Sequence, residues 1–193
     1  MAHVFIAAAL QVRAKHDVDV GAIDRVTVRG GRSIQAWCEP MHERRRPANA
    51  AAAANSIVFA VAKALANRDV RLSDFTPAGL QQPEALHLVD RVDYVVDQTL
   101  EGAGVVEVTT VAGKCYVERC DTAPGHPTRP LTDVEMAAKF RECARYAAAP
   151  LSPKALEETL RLIGALEGVP DVGVLPRLLS PPSGKGQDGQ TPT

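Results

Sequence analysis

The sequence predicts an α+β domain, a small and mainly antiparallel sheet with helices packed on it. Three observations carry this. From Ile23 to Arg29 the chain alternates, with Val26 and Val28 to one side and Arg25, Thr27 and Arg29 to the other. That period of two marks a half-buried strand. From Ala50 to Asn67 there is no Gly and no Pro, Ala dominates, and Ile57, Val61 and Leu65 recur at four-residue steps. That spacing makes one apolar stripe on a helix. Arg91 to Asp97, Val105 to Val111 and Lys114 to Cys120 then read as a meander of strands. One strand, a helical insert and a run of strands is the order of an α+β fold.

The elements follow in order. Ala2 to His16 reads as a helix with Phe5, Ala9 and Val12 on one side, and Asp17 to Gly21 as a turn. Gly30-Gly31 breaks the first strand. Trp37 to Arg46, with Pro40 and several charges, reads as a loop, and its Arg44-Arg45-Arg46 cluster as solvated. Pro47 closes that run and Asn49 is placed to cap the long helix. Asn55 and Ser56 interrupt its apolar surface, and two readings stay open: side chains bonded locally, or side chains facing a site. Pro83 to Val89 is a short helix opened by its proline. Ala112-Gly113 joins the last two strands, with Gly113 supplying positive φ. After the Pro-rich loop from Asp121 to Pro130, Thr132 and Glu135 form a capping box. Met136, Phe140, Cys143 and Ala147 are the stripe expected to be buried in the helix it opens. Ser152-Pro153 opens another helix carrying Leu156, Leu160 and Ile163, with Gly168 as its stop. The folded domain is thus expected over residues 1–179. Residues 180–193 are Ser, Pro, Gly, Gln and Thr rich and are expected to be disordered.

Composition narrows the function. The 193 residues are 46% hydrophobic but only 4% aromatic, so the core must be built from Ala, Val, Leu and Ile. A net charge of −1 with interspersed signs gives no drive toward nucleic acid or an anionic membrane surface. Cys38, Cys115, Cys120 and Cys143 show no metal spacing and read as free thiols in a reducing compartment. No apolar run approaches the roughly eighteen residues a membrane span needs. A soluble cytoplasmic protein without metal or cofactor is expected.

Several segments together resemble a known family. Pro47, Ala53, Ser56 and Phe59 fit the pattern P-x5-A-x-x-S-x-x-[YF], followed by Asp69 to Phe75. His3 to Leu10 is similar to an H-x-x-I-x-A-x-L helix, and Ile23 to Val28 to an I-x-x-V-x-V strand. Gly125 to Leu131, with Lys139-Phe140 downstream, is similar to a G-x-P-x-x-P-L … K-F segment. In this order and spacing they resemble the C-terminal domain of the MmgE/PrpD family, over His3 to about Leu166. That family includes 2-methylcitrate dehydratase, cis-aconitate decarboxylase and iminodisuccinate epimerase.

The resemblance implies carbanion-type chemistry on a small polycarboxylate, that of a hydro-lyase, decarboxylase or isomerase. Such chemistry needs groups that hold carboxylates, a positioned base, and fixed donors for the developing enolate-like charge. By resemblance His3 matches the family's site histidine, a catalytic role, although a frayed terminal histidine is the other reading. By resemblance Ser56, Phe59, His126 and Arg129 are substrate-binding candidates. Phe59 stands where active members often carry tyrosine; a phenyl ring donates nothing, so core packing is the favoured reading. For His126 and Arg129 a structural turn is favoured. No helical domain precedes His3 in this sequence, nor the basic residue that usually precedes that histidine. The resemblance therefore implies an enzyme part, inactive alone, acting with a separately encoded helical chain and expected to self-associate. The alternative is a non-catalytic remnant or interaction module that keeps the fold.

Overall fold

A computed structural model describes residues 2–180. They form two compact units, one running to Leu131 and the other beginning at Thr132, where the sequence reading drew a single domain to 179. The expected disordered tail lies, past Ser180, outside the described residues.

The first unit contains α1 (His3–His16), β1 (Ile23–Gly30), α2 (Ile34–Cys38), α3 (Met41–Arg45), α4 (Ala50–Ala54) and α5 (Ile57–Asn67). It continues with α6 (Pro77–Leu80), α7 (Pro83–Val89), β2 (Val92–Val96), β3 (Gly104–Thr110) and β4 (Cys115–Cys120). The four strands make one sheet in the order β2-β1-β3-β4. β1 runs parallel to β2 and antiparallel to β3, and β3 pairs antiparallel with β4. The fold is α+β with a mainly antiparallel sheet.

Strand order corrects the expected meander. β2 does not sit beside β3; β1 lies between them. The helical insert between β1 and β2 exceeds the dozen or so residues a parallel crossover needs. A central β1 gains hydrogen-bond partners on both edges, and Val26 and Val28 are fully buried. With Val92, Val106 and Val108 they form the core face of the sheet, in one cluster with Phe5, Ala8, Ala9 and Val12 of α1 and Ile57, Val61 and Leu65 of α5. Gly113 turns the β3–β4 hairpin with a φ of 76°.

The long Ala-rich helix is also corrected. It is two helices, broken at Asn55 and Ser56. Asn49 caps α4 by accepting from the Ala52 N–H at 2.9 Å. Ser56 Oγ caps α5 by accepting from the Phe59 N–H at 3.0 Å, and donates to the Arg44 carbonyl at 2.6 Å. A side chain able to cap competes with helix continuation, and here it wins. Asn55 is bonded locally, its Nδ2 donating to the Ala51 carbonyl.

The segment from Trp37 to Arg46 is not a plain loop either, since it holds the end of α2 and all of α3. Its arginines are staples rather than a solvated cluster. Arg44 donates to the carbonyls of Glu39, Asn55 and Ala36. Arg45 reaches the Val92 carbonyl and Asp93. Arg46 grips Asp90 through both oxygens.

The second unit holds α8 (Asp133–Ala144), α9 (Pro153–Gly164) and α10 (Val174–Leu179). The capping box forms: Thr132 Oγ1 accepts from the Glu135 N–H, and Glu135 accepts from the Thr132 N–H at 2.8 Å. Ser152 caps α9, with Pro153 in its first turn. The expected stripe of Met136, Phe140, Cys143 and Ala147 is not buried; α8 has no buried residue and ends before Ala147. α9 stops at Gly164 and turns Thr159 and Leu162 inward, leaving Ile163 about half exposed. Thr159 enters the interior because its hydroxyl donates to the Ala155 carbonyl at 2.7 Å.

Candidate functional site

Register places the site. Gly30 of β1 pairs with Gly104 of β3, and Gly104 with Cys120 of β4. At that end β1 runs out into Gly31, Arg32 and Ser33, β3 is entered from Glu101 to Ala103, and β4 leaves into Asp121 and Thr122. Three loops therefore meet at one end of the sheet. The paired glycines leave bare backbone there, and Phe5 of α1 fills the space. A Cβ on Gly30 would lie 2.6 Å from Phe5 Cζ, and one on Gly104 2.9 Å from Phe5 Cδ1. Seating Phe5 on the sheet brings the first turn of α1, with His3, to the same three loops.

The result is a cleft of about 820 Å³, within the size range of small-molecule sites. His3, Val4 and Phe5 line it from α1, Gly31, Ser33 and Ile34 from beyond β1, Gly102 and Ala103 from before β3, and residues 121–127 with Leu131 from beyond β4. Its walls are mostly apolar with a few convergent polar groups. α1 contributes no side-chain cap at this end, so backbone N–H groups and the positive end of its dipole lie beside His3.

His126 is held in a tight turn. The Gly125 N–H donates to the Arg129 carbonyl at 2.9 Å and the Arg129 N–H to the His126 carbonyl at 2.8 Å. The Thr128 N–H donates to His126 Nδ1 at 3.2 Å, and the Thr128 hydroxyl lies 2.9 Å from the same nitrogen. Nδ1 is thus an acceptor, and the neutral ring carries its proton on Nε2. Thr122 anchors the loop, accepting from Arg129 Nη1 at 3.1 Å and from Cys120 Sγ at 3.4 Å. Asp121 is the acidic residue of the cleft, and Arg119 neutralises it at 2.6 Å.

The structure thus brings His3 and His126, from opposite ends of the unit, to one cleft. Arg129 shapes the turn that carries His126 and does not line the cleft. Ser56 and Phe59 lie elsewhere, both fully buried. The Ser56 hydroxyl is engaged on both sides by the cap and Arg44, and Phe59 packs in the core with the Lys63 ammonium 5.5 Å from its ring centroid. Sequence reasoning passed over Ser33, Asp121 and Ala103, although the Gly30-Gly31 break marked their neighbourhood. It also passed over Lys63, which is fully buried and donates at 2.6 Å to both the Gly79 carbonyl and Gln82 Oε1, with Asp74 at 3.5 Å. Burial lowers the Lys63 pKa, and Asp74 opposes that shift.

Among the described residues no group of three or more His, Cys, Asp or Glu is arranged to hold a metal ion. Among them, too, no helix is long and apolar enough to cross a membrane. All four cysteines are free thiols.

Comparison with known proteins agrees with this architecture. No curated protein matches the chain. The family model described as the MmgE/PrpD C-terminal domain matches residues 1–161, which takes in the whole sheet, the cleft and most of α9. The chain belongs to the MmgE/PrpD C-terminal domain family.

Proposed function

We propose that this chain is the C-terminal part of a polycarboxylate lyase or isomerase of the 2-methylcitrate dehydratase type, which takes its substrate in the cleft at the end of the sheet. The observation that carries the reading is the meeting of His3 and His126 in that cleft. His126 offers an Nε2–H donor of fixed direction, suited to a carboxylate. His3 has no hydrogen-bond partner among the described residues and stands exposed at the cleft, free to carry a proton next to a bound carboxylate. The uncapped end of α1 adds a favourable potential for a bound anion. Arg129 supports the site by holding the turn.

The site is one half of a constellation. A helical partner domain would supply the remaining acid, base and donor groups, and Phe59 provides no phenol in their place. Ala50, Ala51 and Ala54 of α4 and Val95, Val96 and Val117 of the sheet are exposed, apolar surface that a partner chain or a second copy would cover. Free thiols and near-neutral charge fit a reducing, cytoplasmic setting.

The test is to assay the purified chain with 2-methylcitrate, cis-aconitate and iminodisuccinate, alone and mixed with a helical-domain chain of the family. Turnover is expected only in the mixture, with His3→Ala lowering it by about a hundredfold or more. Turnover in neither would replace the enzyme reading with that of a non-catalytic module.

A further inference from the structure

We propose that Arg32 is a carboxylate-holding cation of the cleft, and that with His126 it makes the cleft two-ended, selecting a dicarboxylate over a monocarboxylate. This rests on the reading that the cleft takes a small polycarboxylate.

Arg32 is exposed in the loop that leaves β1. It lines a shallow recess with Gly31, Ser33, Glu101 and Gly102. Gly31, Ser33 and Gly102 also line the main cleft, so the recess adjoins it, with Arg32 on the recess side. The loop is pinned rather than loose. A Cβ on Gly31 would lie 3.3 Å from Glu101 Cα, so the backbones before β3 and after β1 are in close approach.

The other arginines at this end of the sheet are engaged: Arg29 with Asp97, Arg119 with Asp121, and Arg129 with the Thr122 carbonyl. Arg32 makes no hydrogen bond or ion pair among the described residues. Glu101 shares the recess but no ion pair joins the two. With Asp121 already paired to Arg119, the Arg32 guanidinium in the adjoining recess has no carboxylate partner among the described residues. Its planar fork suits a carboxylate better than a point charge does. His126 lines the cleft from the loop beyond β4 and Arg32 stands in the loop beyond β1, so the two donors come from different loops.

The experiment titrates the full chain with succinate, tricarballylate and acetate, following the backbone amides of Gly31, Ser33 and Gly102 and the ring nitrogens of His126 by NMR. Variants are Arg32→Gln, Arg32→Lys and His126→Asn. Arg32→Gln is expected to weaken succinate binding about tenfold, the loss of one charge-assisted contact, with acetate unchanged and the thermal midpoint held. Arg32→Lys should fall between. If Arg32→Gln binds succinate as wild type does while His126→Asn loses it, the role of Arg32 is overturned and the cleft reading stands. Equal weakening of acetate would overturn the two-ended selection. No response to any carboxylate in the wild-type chain would overturn both.

Discussion

The ring of Phe5 rests on the bare backbone of Gly30, so close that a Cβ there would come within 2.6 Å of Phe5 Cζ. Because Phe5 is two residues from His3, this core contact sets the position of a site residue. Gly30→Ala is expected to destabilise the fold by about 1–3 kcal/mol through overpacking. Gly104→Ala should behave alike, since its Cβ would meet both Phe5 and Val4. Chemical denaturation measures the loss, and chemical-shift changes at His3 would report the displaced helix start. Wild-type stability in both variants would show that Phe5 is not seated as described.

The buried Lys63 network fixes the connection after α5. Asn67 donates to Asp74 at 2.9 Å, and Gln82 donates back to Asn67 at 2.7 Å. Asp74→Ala leaves an ammonium in the core without its carboxylate and is expected to cost about 3–5 kcal/mol. Lys63→Met leaves the buried Asp74 without its cation and should cost a comparable amount, while the double variant Lys63→Met/Asp74→Ala should cost less than the sum of the two. Additive losses would contradict a paired buried charge.

The strands were legible because alternation is a local signal, as were the caps at Asn49, Thr132 and Ser152. The break at Asn55 and Ser56 was hidden by strong helix formers on both sides, since propensity alone cannot show a cap winning over continuation. Lys63 was hidden for another reason: its partners Gly79, Gln82 and Asp74 arrive from a later connection. His3 and His126 were both nominated from resemblance. Their shared cleft follows from the Gly30, Gly104 and Cys120 register, a long-range relationship that no window of sequence contains. Arg32 was overlooked because Gly30-Gly31 read only as a strand break.

Acid should weaken the tie between α1 and β4. Burial pushes the Glu118 carboxyl up, but hydrogen bonds from Lys15 and His16 outweigh it and hold the group below its usual 4.5. The unfolded chain then binds that proton more readily than the folded one. The contribution is complete above about pH 4.5 and is lost as pH falls through the lower folded value. Glu118→Gln should flatten the acid limb of a stability–pH curve. An unchanged limb would remove Glu118 from the account.

The thiols should separate into two classes. Cys115 and Cys143 are exposed, whereas Cys38 and Cys120 are buried. Burial, with Glu39 nearby, pushes the Cys38 thiol up to about 12, which denies it the reactive thiolate at neutral pH. Alkylation followed by mass spectrometry should modify Cys115 and Cys143 first and Cys38 and Cys120 only on unfolding. Early modification of Cys38 would contradict the packing of α2.

The most direct test of the central claim uses the chain's five histidines as their own controls. Tricarballylate is titrated into the 193-residue chain while the imidazole resonances of all five are followed. The account predicts saturable shifts at His3 and His126, with His42, His87 and the Glu118-bound His16 unmoved. Uniform small shifts across all five, or none at His3 and His126, would contradict a carboxylate site at the end of this sheet.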